Sequence, residues 1–234
     1  MMDNCKTVME VSHDFVGGRY NENGIFTFYN WTLSFEVAAK VNDECDDMDL
    51  ALSVAFGKLN FFMNSILVDV FVIPINHGLL ANDMISSDVN NTFVLLPETA
   101  TDDIFAQALH SKLSAIVGET LFVGEMSLKC KQTNTKFYYF TPDGKYELPD
   151  QLEFVGDHAL YDVPWWSRYD CDTMDLVCPE DVTDDEKIQA RTEMTTSNIL
   201  NDIEEQIKSE RGIIKKKQVV NIDELRSTWT PKEV

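Results

Sequence analysis

The residues with the greatest potential for chemistry lie in one segment, PWWSRYDCDTMDLVCPEDVTDDE, which runs from Pro164 to Glu186. Trp, Tyr and Arg are the side chains that contribute most binding energy at protein interfaces. The segment therefore predicts an interaction surface, to which we assign Trp165, Trp166, Arg168, Tyr169, Asp170, Asp172 and Asp175, together with Trp229 near the end of the chain. For the two tryptophans themselves, anchoring an extended segment to the protein's own core is the favoured interpretation and contact with a partner the alternative, and both hold if one ring faces each way.

The acids and cysteines of this segment suggest a metal site, but their spacing disfavours one. Asp170, Asp172 and Asp175 could offer carboxylate oxygens to a hard cation, yet the glycine that an EF-hand loop requires is missing. Cys171 and Cys178 are separated by six residues, which is wide for a zinc knuckle and different from a redox CxxC pair. We expect solvated acids, two small apolar anchors, no metal ion and no cofactor.

The histidines do not form the pairs that mark a zinc site. His13, His77, His110 and His158 are far apart, and none has a second His or Cys three or four residues away. His110 falls on the exposed flank of a predicted helix and is expected at the surface, whereas His77 is expected in a turn. The glycine pattern of a phosphate-binding loop and the GxSxG motif of a serine nucleophile are also missing, so no catalytic residue is predicted.

The charge of the chain restricts its partners. Its 234 residues include 40 acids and 19 bases, for a net charge of −21, which disfavours direct binding to nucleic acid or to anionic membranes. The acid is concentrated, because the range 143–186 holds 14 acidic and two basic residues, whereas the range 208–234 holds seven basic and four acidic residues. An acidic region with aromatic side chains predicts a protein partner that is itself basic or handles nucleic acid.

Composition predicts a globular chain in the cytoplasm. Hydrophobic residues make up 44% of the sequence and aromatic residues 11%, which is enough for a buried core. The first residues, MMDNCKTVMEVSHDF, lack the basic and apolar regions of a signal peptide. No apolar run approaches the roughly 20 residues that cross a bilayer, and five cysteines in such a chain are expected to be reduced thiols.

Periodicity in the range 1–142 predicts an α+β core domain. The stretch GIFTFYNWTLSFEVAAKV, Gly24 to Val41, alternates like one long strand or two strands broken near Asn30. Further along, the chain shows a helix from Leu50 to Leu67, a strand from Val68 to Ile75, a strand from Phe93 to Pro97, a helix from Thr101 to Gly118, and a hairpin made of 119–130 and 135–140. This order favours a ferredoxin-like βαββαβ sandwich with an extra hairpin and one antiparallel sheet. A T-fold-like arrangement is the alternative.

The rest of the chain divides into three parts. The range 143–182 has no sustained period and is expected to be an extended acidic segment that carries the aromatic residues. The sequence TDDE from Thr183 to Glu186 is a capping box that predicts a C-terminal helix over 183–212, followed by a mildly basic tail over 213–234. The apolar stripe of this predicted helix is narrow, as in a helix that packs against one partner. It comprises Ile188, Met194, Ile199, Leu200, Ile203 and Ile207.

Two resemblances bear on function. TDDIFAQALHSKLSAIVGETLFVGEMSLKC, with LALSVAFGKLNFFMNSIL before it and PWWSRYD after it, resembles a family of uncharacterised proteins from large tailed bacteriophages over roughly residues 20–170. The resemblance implies a phage product made in an infected bacterial cytoplasm, and it implies no activity. SFEVAAKV is similar to the strand of 6-pyruvoyl-tetrahydropterin synthases that ends in a zinc-binding His, but Lys40 stands at that position and no His-x-His follows.

Three functions are compatible with these patterns. The favoured one is a non-enzymatic acidic protein that regulates or inhibits a polymerase, a nuclease or a defence effector by binding it. The second is a structural component of a virion, in which the acidic surface is a solvated coat. The third is a small-ligand binder or enzyme on a pterin-synthase-like scaffold.

Overall fold

The computed structural model describes residues 8–21, 23–40, 48–85, 92–97, 100–118, 120–139, 148–155, 161–173, 175, 183 and 185–186. Six strands in these ranges form one sheet: β1 Val8–Tyr20, β2 Phe26–Ala39, β3 Asp69–Pro74, β4 Thr92–Leu96, β5 Leu121–Cys130 and β6 Lys136–Tyr139. The helices are α1 Met48–Phe61, continued by a π-helical turn Phe62–Ile66; α2 Gly78–Ile85, preceded by a 3-10 turn Ile75–His77; α3 Asp102–Val117; α4 Gln151–Phe154; and a 3-10 turn Trp165–Ser167.

The sheet is mixed, with the strand order β4-β3-β1-β2-β5-β6. β1 and β2 form a long antiparallel hairpin, and β5 pairs antiparallel with β2 and with β6. β3 is parallel to both β1 and β4. β2 already ends beside the start of β1, so β3 runs in the direction of β1, and the segment that contains α2 returns the chain from the end of β3 to the start of β4. The α+β class is confirmed, but the antiparallel ferredoxin-like order is not, and neither is the T-fold-like alternative.

The strand that the sequence patterns did not reveal is β1, which occupies the middle of the sheet. Its outward positions are polar or exposed, and Gly17 and Gly18 weaken its strand signal. Both glycines allow close approach of neighbouring groups. A Cβ atom at Gly17 would collide with the Val70 carbonyl oxygen, and one at Gly18 would lie 3.1 Å from the Phe26 ring.

The other predicted elements of the core are confirmed within one or two residues at most ends. The range 24–41 contains one strand, β2, and Gly118 ends α3 with a φ of 58°, a conformation that glycine adopts without strain. Thr101 precedes α3 in an extended conformation, although its side chain makes no capping hydrogen bond. Instead the helix N-terminus is fixed to the sheet through the Asp102 carboxylate, which accepts hydrogen bonds from Arg19 and from the Trp31 indole.

The main core lies between the sheet and helices α1 and α3. The Phe105 ring of α3 contacts the rings of Phe15 and Trp31 on the sheet. The range 143–182 is not extended throughout, since it contains α4 and the turn Trp165–Ser167. It also contributes to the same buried cluster as the sheet, through Phe154, Trp165, Trp166 and Cys171.

The predicted capping box lies within the described residues. The Thr183 backbone N–H donates to the Glu186 carboxylate at 2.9 Å, and the Glu186 N–H donates to the Thr183 hydroxyl at 3.4 Å, so the capping box is confirmed. The remainder of the predicted C-terminal helix, the basic tail and Trp229 lie outside the described residues. None of the helices in the described ranges combines the length and apolarity needed to cross a membrane.

Candidate functional site

The aromatic segment of the predicted site forms a strap across one edge of the sheet; we use the name strap for residues 161–173 and 175. Trp165 is 0% exposed and Trp166 2% exposed. The Trp165 indole N–H donates to the Leu95 carbonyl oxygen of β4 at 2.8 Å, and the Trp166 ring lies 4.6 Å from the Phe154 ring. Both tryptophans thus anchor the strap to the protein's own core, and neither is available as an exposed interface anchor.

The strap covers the outer edge of β4, which is the last strand on its side of the sheet. The Thr173 hydroxyl donates to the Phe93 carbonyl oxygen at 3.0 Å, two residues before the carbonyl that receives Trp165. Carbonyl groups two residues apart point to the same side of a strand. Two side chains of the strap therefore satisfy acceptors that a further strand would otherwise bind.

Arg168 holds the strap together from inside. Its guanidinium donates to the Asp175 carboxylate at 2.7 Å, lies 3.3 Å from the Asp170 carboxylate and stacks over the Tyr161 ring at 3.9 Å. Burial alone would lower the pKa of Arg168, but the surrounding carboxylates, Asp175 first, raise it above its ordinary value. Arg168 and Asp175 are thus internal ion-pair partners, 7% and 2% exposed, and not surface groups.

Lys112 of α3 connects this ion pair to the core domain. Its side chain is fully buried, and its ammonium group donates to the Arg168 carbonyl oxygen at 3.1 Å and to the Asp170 carboxylate at 3.2 Å. Burial lowers the pKa of Lys112 to about 8, against the opposing effect of Asp170. Sequence analysis missed this residue. Its signal was its position three residues after Leu109 and four before Ile116, on the apolar side of the helix.

The aspartates proposed as possible metal ligands are used by internal partners. Asp170 accepts the Asp172 backbone N–H at 2.9 Å in addition to Lys112, and Asp175 accepts the Trp165 backbone N–H at 2.9 Å in addition to Arg168. Asp170 and Asp172 are only partly exposed to solvent, whereas the sequence analysis expected solvated acids. Within the ranges that the structure covers, no group of three or more His, Cys, Asp or Glu side chains is arranged to hold a metal ion.

The cysteine of the strap is an internal group, as expected from the sequence. Cys171 is 0% exposed, and its thiol points to the Lys58 carbonyl oxygen at 3.8 Å. Burial raises the pKa of the Cys171 thiol to about 11, so it is protonated at neutral pH. Cys178, its predicted companion, lies outside the described residues.

Two basic residues contact backbone carbonyl oxygens of the segment that follows α3. His110 is 2% exposed, which makes its prediction as a surface residue wrong: its ring nitrogen lies 3.2 Å from the Gly124 carbonyl oxygen, because β5 covers that flank of α3. Burial lowers the pKa of His110. Lys40, at the position of the zinc histidine in pterin synthases, donates to the Gly118 carbonyl oxygen at 3.0 Å. His77 lies in a 3-10 turn, as predicted.

Tyr169 is the predicted site residue that faces outward. It is 74% exposed, although the residues on both sides of it, Arg168 and Asp170, are held inside the strap. Val163 is 44% exposed, and Asp162 is also at the surface. Of the predicted aromatic anchors, the structure therefore presents the tyrosine and buries the two neighbouring tryptophans.

A second exposed apolar surface was not predicted. We call it the aromatic face; it lies on the side of the sheet opposite α3 and comprises Val16, Tyr20, Phe26, Phe28 and Phe71. The ring of Phe93, which is buried, lies 5.8 Å from Phe71 on the β4 side of this face. The Phe71 ring lies 5.0 Å from Phe26 and 6.0 Å from Phe28, and the missing side chain of Gly18 leaves room beneath them. Phe28 is 60% exposed and Val16 is 43% exposed. The alternation of Phe26 and Phe28 was its signal in the sequence.

Comparison with known proteins adds little to this geometry. No protein-family model matches the chain, and no curated protein matches it. A solved crystal structure of an uncharacterised protein from Wolinella succinogenes matches with 11% sequence identity and a TM-score of 0.36, over 58% of this chain and 98% of that one. Neither fold nor function is argued from a likeness of this extent.

Proposed function

We propose that this chain is a non-enzymatic acidic protein that binds a basic or nucleic-acid-handling protein and thereby regulates or inhibits it. The observation that carries the proposal is Tyr169, an aromatic side chain 74% exposed on a strap whose other large side chains are buried. Tyrosine is one of the residues that most often dominate binding energy at interfaces.

The fixed surroundings of Tyr169 make it suitable as a binding residue. The strap backbone is held on both sides, because Lys112 binds the Arg168 carbonyl oxygen and Asp170 accepts the Asp172 N–H. Binding through a segment that is already ordered loses less conformational entropy than binding through a free loop. The buried tryptophans thus support an interaction by holding the strap, and not by contacting the partner.

The charge around Tyr169 indicates the chemistry of the partner. Asp162 is exposed on the same strap, Asp172 is partly exposed, and the range 143–186 holds 14 acids against two bases. Such a surface attracts a basic patch and speeds its encounter. A basic protein that handles nucleic acid has such a patch where it contacts phosphates.

The resemblance to bacteriophage proteins supports the biological setting of this proposal. A phage product in an infected bacterium would meet host polymerases, nucleases and defence effectors in the cytoplasm. The virion component and the small-ligand binder remain predictions for which the described geometry offers no specific support.

The test is affinity purification of the full-length protein from cells that produce it, with mass spectrometry of the bound proteins. Wild type is compared with Tyr169→Ala and with Leu79→Ala, a control that removes another exposed apolar side chain, 67% exposed on α2. We expect a partner of net positive charge that Tyr169→Ala binds roughly 30-fold more weakly, since loss of a dominant interface residue costs about 2 kcal/mol. The control should bind like wild type.

Salt separates an electrostatic interaction from a purely apolar one. The interaction should weaken strongly between about 0.1 M and about 1 M salt, because the Debye length falls from about 10 Å to about 3 Å. An identified partner whose affinity is unchanged by both salt and Tyr169→Ala would contradict the proposal.

A further inference from the structure

The aromatic face is an apolar surface on one side of the sheet that is only partly covered. The centroid of the Phe71 ring lies 5.0 Å from that of Phe26 and 6.0 Å from that of Phe28. Phe28 is nevertheless 60% exposed, and Val16 on the neighbouring strand is 43% exposed. Apolar side chains exposed as a contiguous group mark an interaction surface, whereas single exposed ones do not.

The dimensions of the aromatic face fit one helix. Phe71 on β3 and Phe28 on β2 lie on either side of β1, so the apolar surface is two strand spacings wide, about 10 Å. Between Val16 and Tyr20 the face extends four residues along β1, about 14 Å. An α-helix is about 10 to 12 Å wide and rises about 5 Å per turn, so between two and three turns would cover this surface. Helices are also the elements that commonly form the second layer on a sheet.

One end of the aromatic face is bordered by acid. Asp69 of β3 pairs in register with Val16 of β1, so its side chain lies on the same side of the sheet, next to the apolar surface. Asp69 is exposed, and no lysine or arginine in the described ranges forms an ion pair with it. Asp14, two residues before Val16, lies at the same border, but Lys131 binds its carboxylate at 2.7 Å. The charge that remains here for a partner is therefore negative.

This charge favours one kind of occupant. Nucleic acid or an anionic membrane would place phosphate groups against Asp69, and the base at this border, Lys131, is already bound by Asp14. A second copy of the chain would also carry a net charge of −21, so the two copies repel one another. A helix with an apolar stripe and a positively charged flank would instead gain both apolar burial and an ion pair.

We propose that the aromatic face binds an amphipathic helix of a partner protein, whose apolar side chains cover Phe28 and Val16 and whose flanking lysine or arginine binds Asp69. The inference rests on the proposed function for the basic character of the partner, and it adds a second contact surface. The strap lies at the edge of β4, whereas Phe28 lies on β2, three strands away in the order of the sheet. Variants can therefore test the two surfaces separately.

The test uses three synthetic helical peptides as probes of the full-length protein. The first has leucines along one side and lysines on both flanks. The second has glutamate in place of lysine, and the third has serine in place of leucine. Each peptide carries a neutral fluorescent dye, and binding is measured by fluorescence anisotropy in about 0.1 M salt. The leucine–lysine peptide should bind at least about tenfold more tightly than either of the others, because only it offers both apolar surface and positive charge.

Matched variants locate the contact. Phe28→Ser should weaken binding of the leucine–lysine peptide by about tenfold, the effect expected for an apolar interface residue. Phe122→Ser is its control and should bind like wild type, since it removes a phenylalanine that is 37% exposed on β5, at the other end of the sheet. Asp69→Asn should weaken binding by about threefold, as expected for an exposed ion pair. Glu10→Gln removes the same charge from an exposed position near the start of β1 and should have no effect.

Four outcomes would overturn the proposal. Equal binding by wild type, Phe28→Ser and Asp69→Asn would show that the peptide binds the acidic surface as a whole. No binding by wild type would show that the face does not accept such a helix. A wild-type dimer that Phe28→Ser converts to a monomer in sedimentation equilibrium would assign the face to a second copy. Weaker binding by Tyr169→Ala but not by Phe28→Ser would place the helix on the strap, a result that contradicts this inference and leaves the proposed function intact.

Discussion

At the scale of single residues, Lys112 shows how a buried charge is tolerated. An ammonium group without partners inside a protein is strongly destabilising. Lys112 is fully buried, but it gains a carboxylate from Asp170 and a carbonyl oxygen from Arg168. Burial still dominates and lowers its pKa from 10.5 to about 8. The residue therefore carries its charge at neutral pH and loses it under mildly alkaline conditions.

This pKa predicts an unusual pH dependence of stability. Between pH 8 and 10.5 the unfolded chain keeps the Lys112 proton while the folded protein has lost it, so through this group the free energy of unfolding rises with pH. Cys171 and Tyr161 act in the opposite direction, because burial raises their pKa values to about 11 and about 12 and the folded protein keeps their protons longer. The net rise should therefore be confined to about pH 8 to 9.

The measurement is urea denaturation of wild type and Lys112→Met from pH 7.5 to 9.5. Methionine has an unbranched side chain one heavy atom shorter than that of lysine and carries no charge, so the rise in unfolding free energy should be absent from this variant. The control is Lys131→Met, which removes a lysine that is about half exposed at the surface and should leave the rise intact. A wild-type profile without a rise would contradict the assignment, as would parallel profiles for wild type and Lys112→Met.

The residues that sequence analysis placed wrongly or missed share one property: their contacts come from other elements of the fold. His110 meets Gly124 across a strand, and Lys112 meets Asp170 from the strap, 58 residues later. The apolar stripe of α3 marks the position of Lys112 as buried, but local periodicity contains no information about the groups that pack against a helix, so it assigned His110 to the solvent side. For the tryptophan pair, the structure supports the interpretation as anchors of the protein's own core, since both rings are buried.

At the scale of elements, the strap protects an edge of the sheet. An uncovered edge strand offers hydrogen-bonding groups to other chains. Here Thr173 and Trp165 bind two carbonyl oxygens of β4 through their side chains, without adding a strand. The strap thus supplies donors to two carbonyl oxygens of β4 and at the same time presents Tyr169 to solvent.

The bond from Thr173 can be tested by a substitution that preserves shape. Thr173→Val keeps the branched side chain but leaves the Phe93 carbonyl oxygen, which is buried beneath the strap, without its donor. The free energy of unfolding should fall by about 1 to 3 kcal/mol, the usual cost of an unsatisfied buried polar group. Thr32→Val is the matched control, since its hydroxyl binds Asp14 at the surface, and it should change stability by less than about 0.5 kcal/mol.

Urea denaturation of both variants measures these differences. Equal losses for the two substitutions would show that the Thr173 bond contributes no more than a surface bond. An increase in self-association of Thr173→Val, measured by light scattering, would further indicate that the strap protects the β4 edge.

Most elements of the core could be predicted from the sequence, but their arrangement could not. α1, α3, β3 and the β5–β6 hairpin each have a local signal: an apolar stripe, a run of β-branched residues or a turn. Strand order depends on pairings between distant segments, and the omission of β1 removed the strand that pairs with both β2 and β3. With β1 between β2 and β3, the chain forms a mixed sheet instead of the antiparallel one that its remaining strands suggested.

At the scale of the whole molecule, the net charge of −21 acts on both stability and binding. Like charges repel one another more strongly in the compact folded state than in the expanded unfolded chain, so the excess acid destabilises the fold. The ion pairs inside the strap, such as Arg168 with Asp175, are buried and are therefore screened little by salt. Added salt should weaken the repulsion between surface acids and leave these internal pairs nearly unchanged.

The melting temperature should therefore rise as sodium chloride is increased from about 0.01 M to about 1 M, where the Debye length falls from about 30 Å to about 3 Å. Chloride is preferable to sulfate, which stabilises folded proteins by exclusion from their surfaces whatever their charge. A constant or falling melting temperature would show that surface repulsion is not a significant cost. If the temperature rises, the same repulsion is what a basic partner would relieve on binding, so the partner should stabilise the protein most at low salt, where its affinity is also highest.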